Sequence, residues 1–434
     1  MRGPNSYLGE RLWLAANYGV RVSEDAIKLV MLSWRDAAVR GGWNVGRRRT
    51  LVMCCEMKRL RASVGEPFDR KFANFEHLAQ IHSPAVISGW VEELMEVVER
   101  GGLGHCPLFR GVIKPDKYSL KKSSTGEWRP ILVADVLCLF LHQHLFAEMA
   151  ECAESVHERI GINMTPRRWR DIVVERLARK PTAGVDYARY DETEASQLLY
   201  RISLELCEMV GCSFRLSRYV ARTVACGWAV TAGGEVIERA GGNPSGQFLT
   251  AVLNSLVHEI INFDCWGRVL EVPPSEVLAF VDWCVVGDDE LVAPPSVESL
   301  LEFIVESEGS FGIACKSDLC AGRLYPPGCH ASFLSRVSLR IRGYDLLLPS
   351  EPTRLLSAWQ VPARDEVSPV DTYRGLAAEL WGYRVILECG LEWPVPTPVR
   401  DFLCDAREFE KESGELVLPP LSELVASRMG YQFD

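Results

Sequence analysis

An apolar run from Val277 to Ala293 is broken at Gly287-Asp288-Asp289, and that break constrains the fold of this 434-residue chain more than any other feature. A Gly-Asp turn between apolar stretches predicts a β-hairpin. Two carboxylates then ride on the tip of a rigid element. A second acidic element lies upstream. A strand is predicted to end at Val185, just before Asp186, and Asp191 opens the following helix as a candidate N-cap. Beyond it Ala195, Leu198, Leu199, Ile202, Leu206 and Met209 fall on one helical face. A strand end and a neighbouring hairpin tip can share one site. Clustered carboxylates are the hard oxygen ligands that magnesium requires. Two such ions, roughly 3.5–4 Å apart, stabilise both the attacking and the leaving oxygen of a phosphoryl displacement.

Between the acidic elements stands Gly242-Asn243-Pro244-Ser245-Gly246, a turn leading into a helix predicted over about 246–262. Leu249, Leu253, Leu256 and Ile260 mark its apolar side. Thr250 and Asn254, four residues apart, project from one face. Hydroxyl and amide groups placed there can read a ribose 2′-hydroxyl, which distinguishes RNA from DNA. Each piece alone is ordinary: a turn, a helix cap, a polar helix face. The order and the combination carry the argument. A further helix is predicted over 297–309, and Pro349 to Pro352 open a C-terminal unit that reads as mostly helical.

The formal net charge of −10 opposes the basic footprint common in nucleic-acid binders. It is an average, and a basic channel can coexist with an acidic exterior. Local basic stretches occur at Arg47 to Arg49, Lys58 to Arg61, Lys114 to Lys122 and Arg167 to Arg170. The fifteen cysteines are scattered without framework spacing, and the first residues lack an apolar signal core. They read as reduced thiols of a cytosolic-type protein. Cys315, Cys320, Cys329 and His330 could compose a zinc site, but incidental burial is the favoured reading. The most apolar stretch, 133–146, is interrupted by Asp135, His142 and His144 and is too short to span a bilayer. There is no Walker-type loop and no His-Glu-x-x-His helix.

As an ensemble these residues resemble a known family. Asp186-x4-Asp191, then Ser245-Gly246-x3-Thr250-x3-Asn254-Ser255, then Gly287-Asp288-Asp289 are similar to palm motifs A, B and C of viral RNA-dependent RNA polymerases, in the standard order. Ser63-Val64-Gly65-Glu66-Pro67-Phe68 resembles motif G. The stretch from Lys114 through Lys117, Lys121 and Lys122 to Arg129-Pro130-Ile131 resembles motif F. Lys316 is placed like the motif D lysine, and Phe333-Leu334-Ser335-Arg336 resembles the motif E turn. The form of motifs B and E points to the picornavirus-like supergroup of positive-strand RNA viruses. The resemblance covers roughly residues 60–345. Val286 departs from it, standing where a tyrosine most often precedes Gly-Asp-Asp, and the segment before motif A is shorter than usual.

The resemblance implies an α+β right-hand polymerase fold: fingers, a palm of antiparallel sheet flanked by helices, and a small helical thumb. Fingers would occupy 1–180 with motifs G and F, and palm motif A 181–205. A fingers insertion would follow at 206–240, then palm motifs B to E at 241–345 and the thumb at 346–434. It implies that Asp186, Asp288 and Asp289 hold two Mg2+ ions, with Mn2+ able to substitute. Lys316 would act as a general acid. Lys114, Lys121, Lys122 and Arg129 would neutralise the triphosphate. Asp191, Thr250 and Asn254 would form the ribose network, and Ser245 and Gly246 would flex during translocation. Ser63, Gly65 and Pro67 would border the template, and Phe333, Leu334 and Arg336 would grip the primer. The implied partners are an RNA template and primer strand, nucleoside triphosphates, a protein primer and other viral replication proteins. The implied place is the host cytoplasm, in membrane-associated replication complexes. Two rivals share part of the pattern. One is a reverse transcriptase, against which the motif B pattern argues. The other is a degenerate polymerase-like RNA-binding scaffold, which would not need every expected metal ligand.

Overall fold

The structure, a computed structural model, describes residues 22–56, 68, 71–72, 74–102, 108–113, 130–161, 168–188, 190–231, 233–239, 241–316, 324–327, 332–341, 344–360 and 369–413. Among these the chain opens with α1 (Glu24–Arg40), α2 (Leu51–Glu56), α3 (Phe75–Ile81) and α4 (Pro84–Glu99). Strands β1 (Leu108–Ile113) and β2 (Pro130–Val133) lead to α5 (Val136–Val156). Next come β3 (Ala183–Tyr187), α6 (Tyr190–Thr193), α7 (Ser196–Met209), α8 (Phe214–Ala225), β4 (Gly227–Val230) and β5 (Val236–Arg239). Then follow α9 (Thr250–Val269), β6 (Asp282–Val286), β7 (Asp289–Ala293), α10 (Val297–Phe311) and β8 (Cys315–Lys316). The remainder is β9 (Arg336–Ile341), β10 (Tyr344–Pro349), α11 (Pro352–Gln360), α12 (Pro369–Glu379), α13 (Trp381–Glu388) and α14 (Thr397–Ser413).

Local chemistry explains where these elements begin. Ser23, Ser83 and Ser213 cap α1, α4 and α8 by accepting backbone N–H groups, and Pro84 stands in the first turn of α4. Asp135 caps α5 by accepting the Leu137 and Cys138 N–H groups at 2.9 Å. Ser296 and Ser299 bond reciprocally at the start of α10, which stops at Gly312 in the left-handed conformation.

Two four-stranded sheets organise the molecule. One has the order β6-β7-β3-β8 with every neighbour antiparallel. The other has the order β2-β1-β4-β5, with β1 and β4 parallel. The second sheet therefore joins the segment after α8 to the N-terminal strands, and the expected 206–240 insertion begins inside α7. The hairpin β9–β10 stands apart, and Leu339, Leu346 and Leu348 share a core with Leu376, Leu380, Trp381 and Leu403 of the C-terminal helices. The expected boundary at 345/346 thus cuts a hairpin that packs with the helices beyond it.

Helix α9 is the axis of the main core. Its Leu253, Leu256, Val257, Ile260, Ile261 and Phe263 are buried, and so are its polar Asn254, Ser255, His258, Glu259, Asn262 and Asp264. Buried polar groups require partners, and here they tie the helix to its neighbours. Arg159 Nε donates to Glu259 Oε1 at 2.5 Å, and the Ser23 N–H donates to Asp264 Oδ1 at 2.9 Å. A second tie is Arg239, fully buried on β5. Its guanidinium meets carbonyl oxygens of Thr223, Val224 and Cys226 at the end of α8, and of Gly241 and Gly242 before α9.

Four local expectations are corrected. Helix α9 starts at Thr250, later than 246, because Thr250 Oγ1 donates to the Pro244 carbonyl at 2.7 Å and Gly246 is paired with Val133. It also runs on to Val269. The hairpin is confined to 282–293, since Pro274 starts a 3-10 turn that occupies Pro274–Ala279. Strand β3 passes through Asp186 to Tyr187, because Asp186 pairs on both sides. Asp191 is not a cap: it lies inside α6, and its side chain accepts from Asn254.

Candidate active site

The carboxylates come together through strand register. Asp186 on β3 is the direct partner of Asp289 on β7, and on its other side it pairs with Lys316 of β8. Directly opposite residues in antiparallel ladders stand about 4.5–5.5 Å apart at Cα. Side chains alternate along β3: Val185 and Tyr187 are buried, whereas Asp186 between them is exposed. Gly287 and Asp288 form the two-residue turn between β6 and β7. Gly287 adopts φ +64°, which a side chain at that position would resist. Asp288 and Asp289 are half-buried. The side chain of Lys316 lies outside the described residues, as do Ser63, Gly65, Pro67, Lys114, Lys121, Lys122, Arg129, Cys320, Cys329 and His330.

The turn is fixed from beneath by α9. Ser255 Oγ accepts the Gly287 N–H at 2.9 Å, and His258 Nδ1 meets the Gly287 carbonyl at 2.9 Å. On its other edge His258 Nε2 stands 3.2 Å from Glu290 Oε2. Glu290 also accepts from Asn262 Nδ2 at 2.7 Å and from the Tyr187 hydroxyl at 3.3 Å. Sequence reasoning missed His258, Asn262 and Glu290. The signal was present: 254, 258 and 262 fall on one helical stripe, and a glutamate sits inside the apolar β7 run.

The second acidic element approaches the same end of the sheet. Asn254 Nδ2 donates to Asp191 Oδ1, and the Tyr190 hydroxyl donates to the Asn254 carbonyl at 3.2 Å. Thr250 does not share that contact. Its hydroxyl turns into the preceding loop, toward the carbonyls of Pro244 and Gln247 at 2.7 and 3.0 Å. Gly246 seats that loop on β2, where its N–H donates to the Leu132 carbonyl at 2.8 Å. Glu194, buried nearby, has its carboxyl pushed well above the usual range by burial, then by Asp191 and Asp288.

Just before β9, Phe333 and Arg336 exchange backbone hydrogen bonds of 2.9 Å around Leu334 and Ser335, both at positive φ. Phe333 is buried against Trp169. Arg336 pairs with Glu379 of α12 at 2.6 Å, so it ties the turn to the C-terminal helices.

Comparison with known proteins bears on this arrangement directly. The family described as viral RNA-dependent RNA polymerase matches residues 128–363, a span that contains Asp186, Asp191, the loop before α9, the Gly287–Asp289 turn and the Phe333–Arg336 turn. The chain belongs to that family. Among relatives of the chain, the RNA1 polyprotein of Arabis mosaic virus (isolate NW) is 32% identical over 144 residues, 31% of this chain and 6% of that protein. The genome polyprotein of Canine calicivirus (strain 48) is 27% identical over 228 residues, 47% of this chain and 12% of that protein. The chain thus spans only a small part of the curated relatives it matches. A solved structure, a Sicinivirus 3Dpol RNA-dependent RNA polymerase, superposes with a TM-score of 0.71 at 16% identity, covering 97% of this chain and 89% of that one. The α+β right-hand fold and the picornavirus-like polymerase family expected from the motifs are both met.

Proposed function

We propose that this chain copies an RNA template by nucleotidyl transfer at Asp186, Asp288 and Asp289, as part of the replication of a positive-strand RNA virus genome. The observation that carries the reading is the register of Asp186 against Asp289, with Asp288 on the adjoining turn. The donor set fits divalent ions. Among the described residues no three His, Cys, Asp or Glu side chains close into a cage. The fit rests on donor type: magnesium takes hard carboxylate oxygens, one or two at a time, together with waters and substrate phosphates. Two bound ions, Mg2+ or Mn2+ in its place, would supply charge stabilisation to the attacking and leaving oxygens.

The protein's own part is positioning. The α9 contacts to Gly287 hold the turn carboxylates, and the β3 ladder holds Asp186, so that little reorganisation is needed when charge develops. Asp191 accepts a sugar hydroxyl beside the donor held by Asn254. Lys316, paired with Asp186 through the backbone, protonates the departing pyrophosphate. Lys114, Lys121, Lys122 and Arg129 neutralise the triphosphate. Ser63, Gly65 and Pro67 guide the template, and the Phe333–Arg336 turn meets the primer. A protein primer and other viral proteins are proposed partners, in membrane-associated complexes of the host cytoplasm.

The test is primer extension on a homopolymeric RNA template with magnesium, comparing wild type with Asp288→Ala. Extension with ribonucleotides that the variant loses supports the reading. Preference for deoxynucleotides would favour a reverse transcriptase. RNA binding without extension, indifferent to magnesium and to loss of Asp288, would favour a scaffold.

A further inference from the structure

The loop entering α9 carries two buried side chains for which the mechanism above has no use, Asn243 and Gln247. Asn243 Nδ2 donates to the Thr250 carbonyl at 3.1 Å and to Asn254 Oδ1. Gln247 Nε2 donates to Asn243 Oδ1, and Asn254 Nδ2 donates to Asp191 Oδ1. Chemistry fixes the direction of this series. A backbone carbonyl only accepts, so the Asn243 atom facing Thr250 must be nitrogen. The Asn254 atom facing that nitrogen is then oxygen, which turns the Asn254 nitrogen toward the Asp191 carboxylate. The backbone adds a tie, since the Asn243 N–H donates to the Asp191 carbonyl at 2.6 Å.

We infer that Asn243 is a positioning residue for sugar selection: it holds the Asn254 amide in the one orientation that offers Asp191 a donor, and so sets Asp191 for the 2′-hydroxyl of the incoming nucleotide. This rests on the polymerase reading. Without Asn243 the Asn254 oxygen loses the donor that fixes it, and the amide is held toward Asp191 from one side only. A site that hydrogen-bonds a substrate hydroxyl rejects the analogue lacking it, because its own polar groups are left unpaired. When Asp191 loses its setting, the ribonucleotide loses a contact that the deoxynucleotide never had. Gln247 orients Asn243 from outside and acts in the same direction with smaller effect.

The experiment measures kcat/KM for CTP and for 2′-deoxy-CTP in single-nucleotide extension of a primed RNA template with magnesium. It uses the full chain as wild type, Asn243→Ala, Asn243→Asp and Gln247→Leu. Asn243→Asp keeps the size but removes the donor. The ribo-to-deoxy ratio is expected to fall roughly tenfold or more in both Asn243 variants, the value of one buried hydrogen bond. The fall comes from CTP, with the deoxynucleotide little changed. Gln247→Leu shows a smaller fall and decides the matter if the Asn243 variants do not fold. Equal losses for both nucleotides, leaving the ratio unchanged, would show that Asn243 only builds the loop and would overturn the assignment. A wild-type chain that incorporates neither nucleotide overturns the polymerase reading itself, a different failure with a different signature.

Discussion

The Nδ1 atom of His258 lies 2.9 Å from the carbonyl oxygen of Gly287. That oxygen only accepts, so the ring must carry a proton on Nδ1. One turn earlier on the same helix Ser255 takes the Gly287 N–H, so both polar groups of the residue before Asp288 are pinned by α9. His258→Phe keeps the ring volume packed against Tyr187 and Tyr190, at centroid distances of 4.9 and 5.4 Å, and removes both polar contacts. The turn then loses one of its two anchors, and Glu290 loses one of its partners. The expected result is a fall in kcat of roughly tenfold or more, with nucleotide KM less affected, and a stability loss of about 1–3 kcal/mol. Steady-state primer extension and urea unfolding check it. A kcat within about twofold of wild type would show that Ser255 and the strand ladder suffice.

Gly246 answers to a different constraint. A Cβ there would stand 2.6 Å from the Leu132 carbonyl oxygen and 2.8 Å from Val133 Cα. Both obstacles are backbone atoms of β2, so neither can swing aside. Gly246→Ala is therefore expected to lift the loop from β2, lose most extension activity and cost about 1–3 kcal/mol as an overpacked site. Ser245→Ala, half-buried and without that clash, should be milder in stability. Wild-type extension by Gly246→Ala would mean that the loop need not seat on β2 for catalysis.

The parts of the site that were legible in the sequence are those whose chemistry is local. Gly287 and Asp288 announce a turn, Asp186 follows a short apolar strand, and Leu198, Leu199, Ile202 and Leu206 keep a helical period that the structure buries. What escaped depends on partners far along the chain. Thr250 and Asn254 share a helical face, which the spacing shows. Only the fold reveals that Thr250 is the first residue of α9 and is turned back to Pro244. Glu290 looks like a lapse in an apolar run until His258, Asn262 and Tyr187 are brought around it. Arg239 resembles any surface arginine after a short strand, yet five carbonyls from two segments enclose it. Periodicity gives the face of an element, not the identity of what packs against it.

Stability should also carry a specific dependence on pH. His142, on α5, is fully buried, with Nε2 at 3.3 Å from Thr223 Oγ1. Burial lowers its pKa from the usual 6.5 to about 4. Between those values the unfolded chain binds a proton that the folded chain does not, so unfolding gains as pH falls. The contribution is fully present above the unfolded value and is lost as pH drops toward the folded one. From about pH 7 to about pH 5 it amounts to roughly 2 kcal/mol, at about 1.4 kcal/mol per unit below 6.5. Other groups titrate in the same range, and Glu154, whose carboxyl burial raises to about 7, acts in the opposite direction. A comparison with His142→Leu cancels them. Thr223 keeps its own hydrogen bond to the Val220 carbonyl at 2.7 Å, so the substitution strands no hydroxyl. Urea unfolding of both proteins at the two pH values is expected to show wild type losing about 2 kcal/mol more than the variant on acidification. An equal loss in the two proteins would mean that His142 takes up no proton on unfolding, and that its ring is not the buried neutral group the fold makes it.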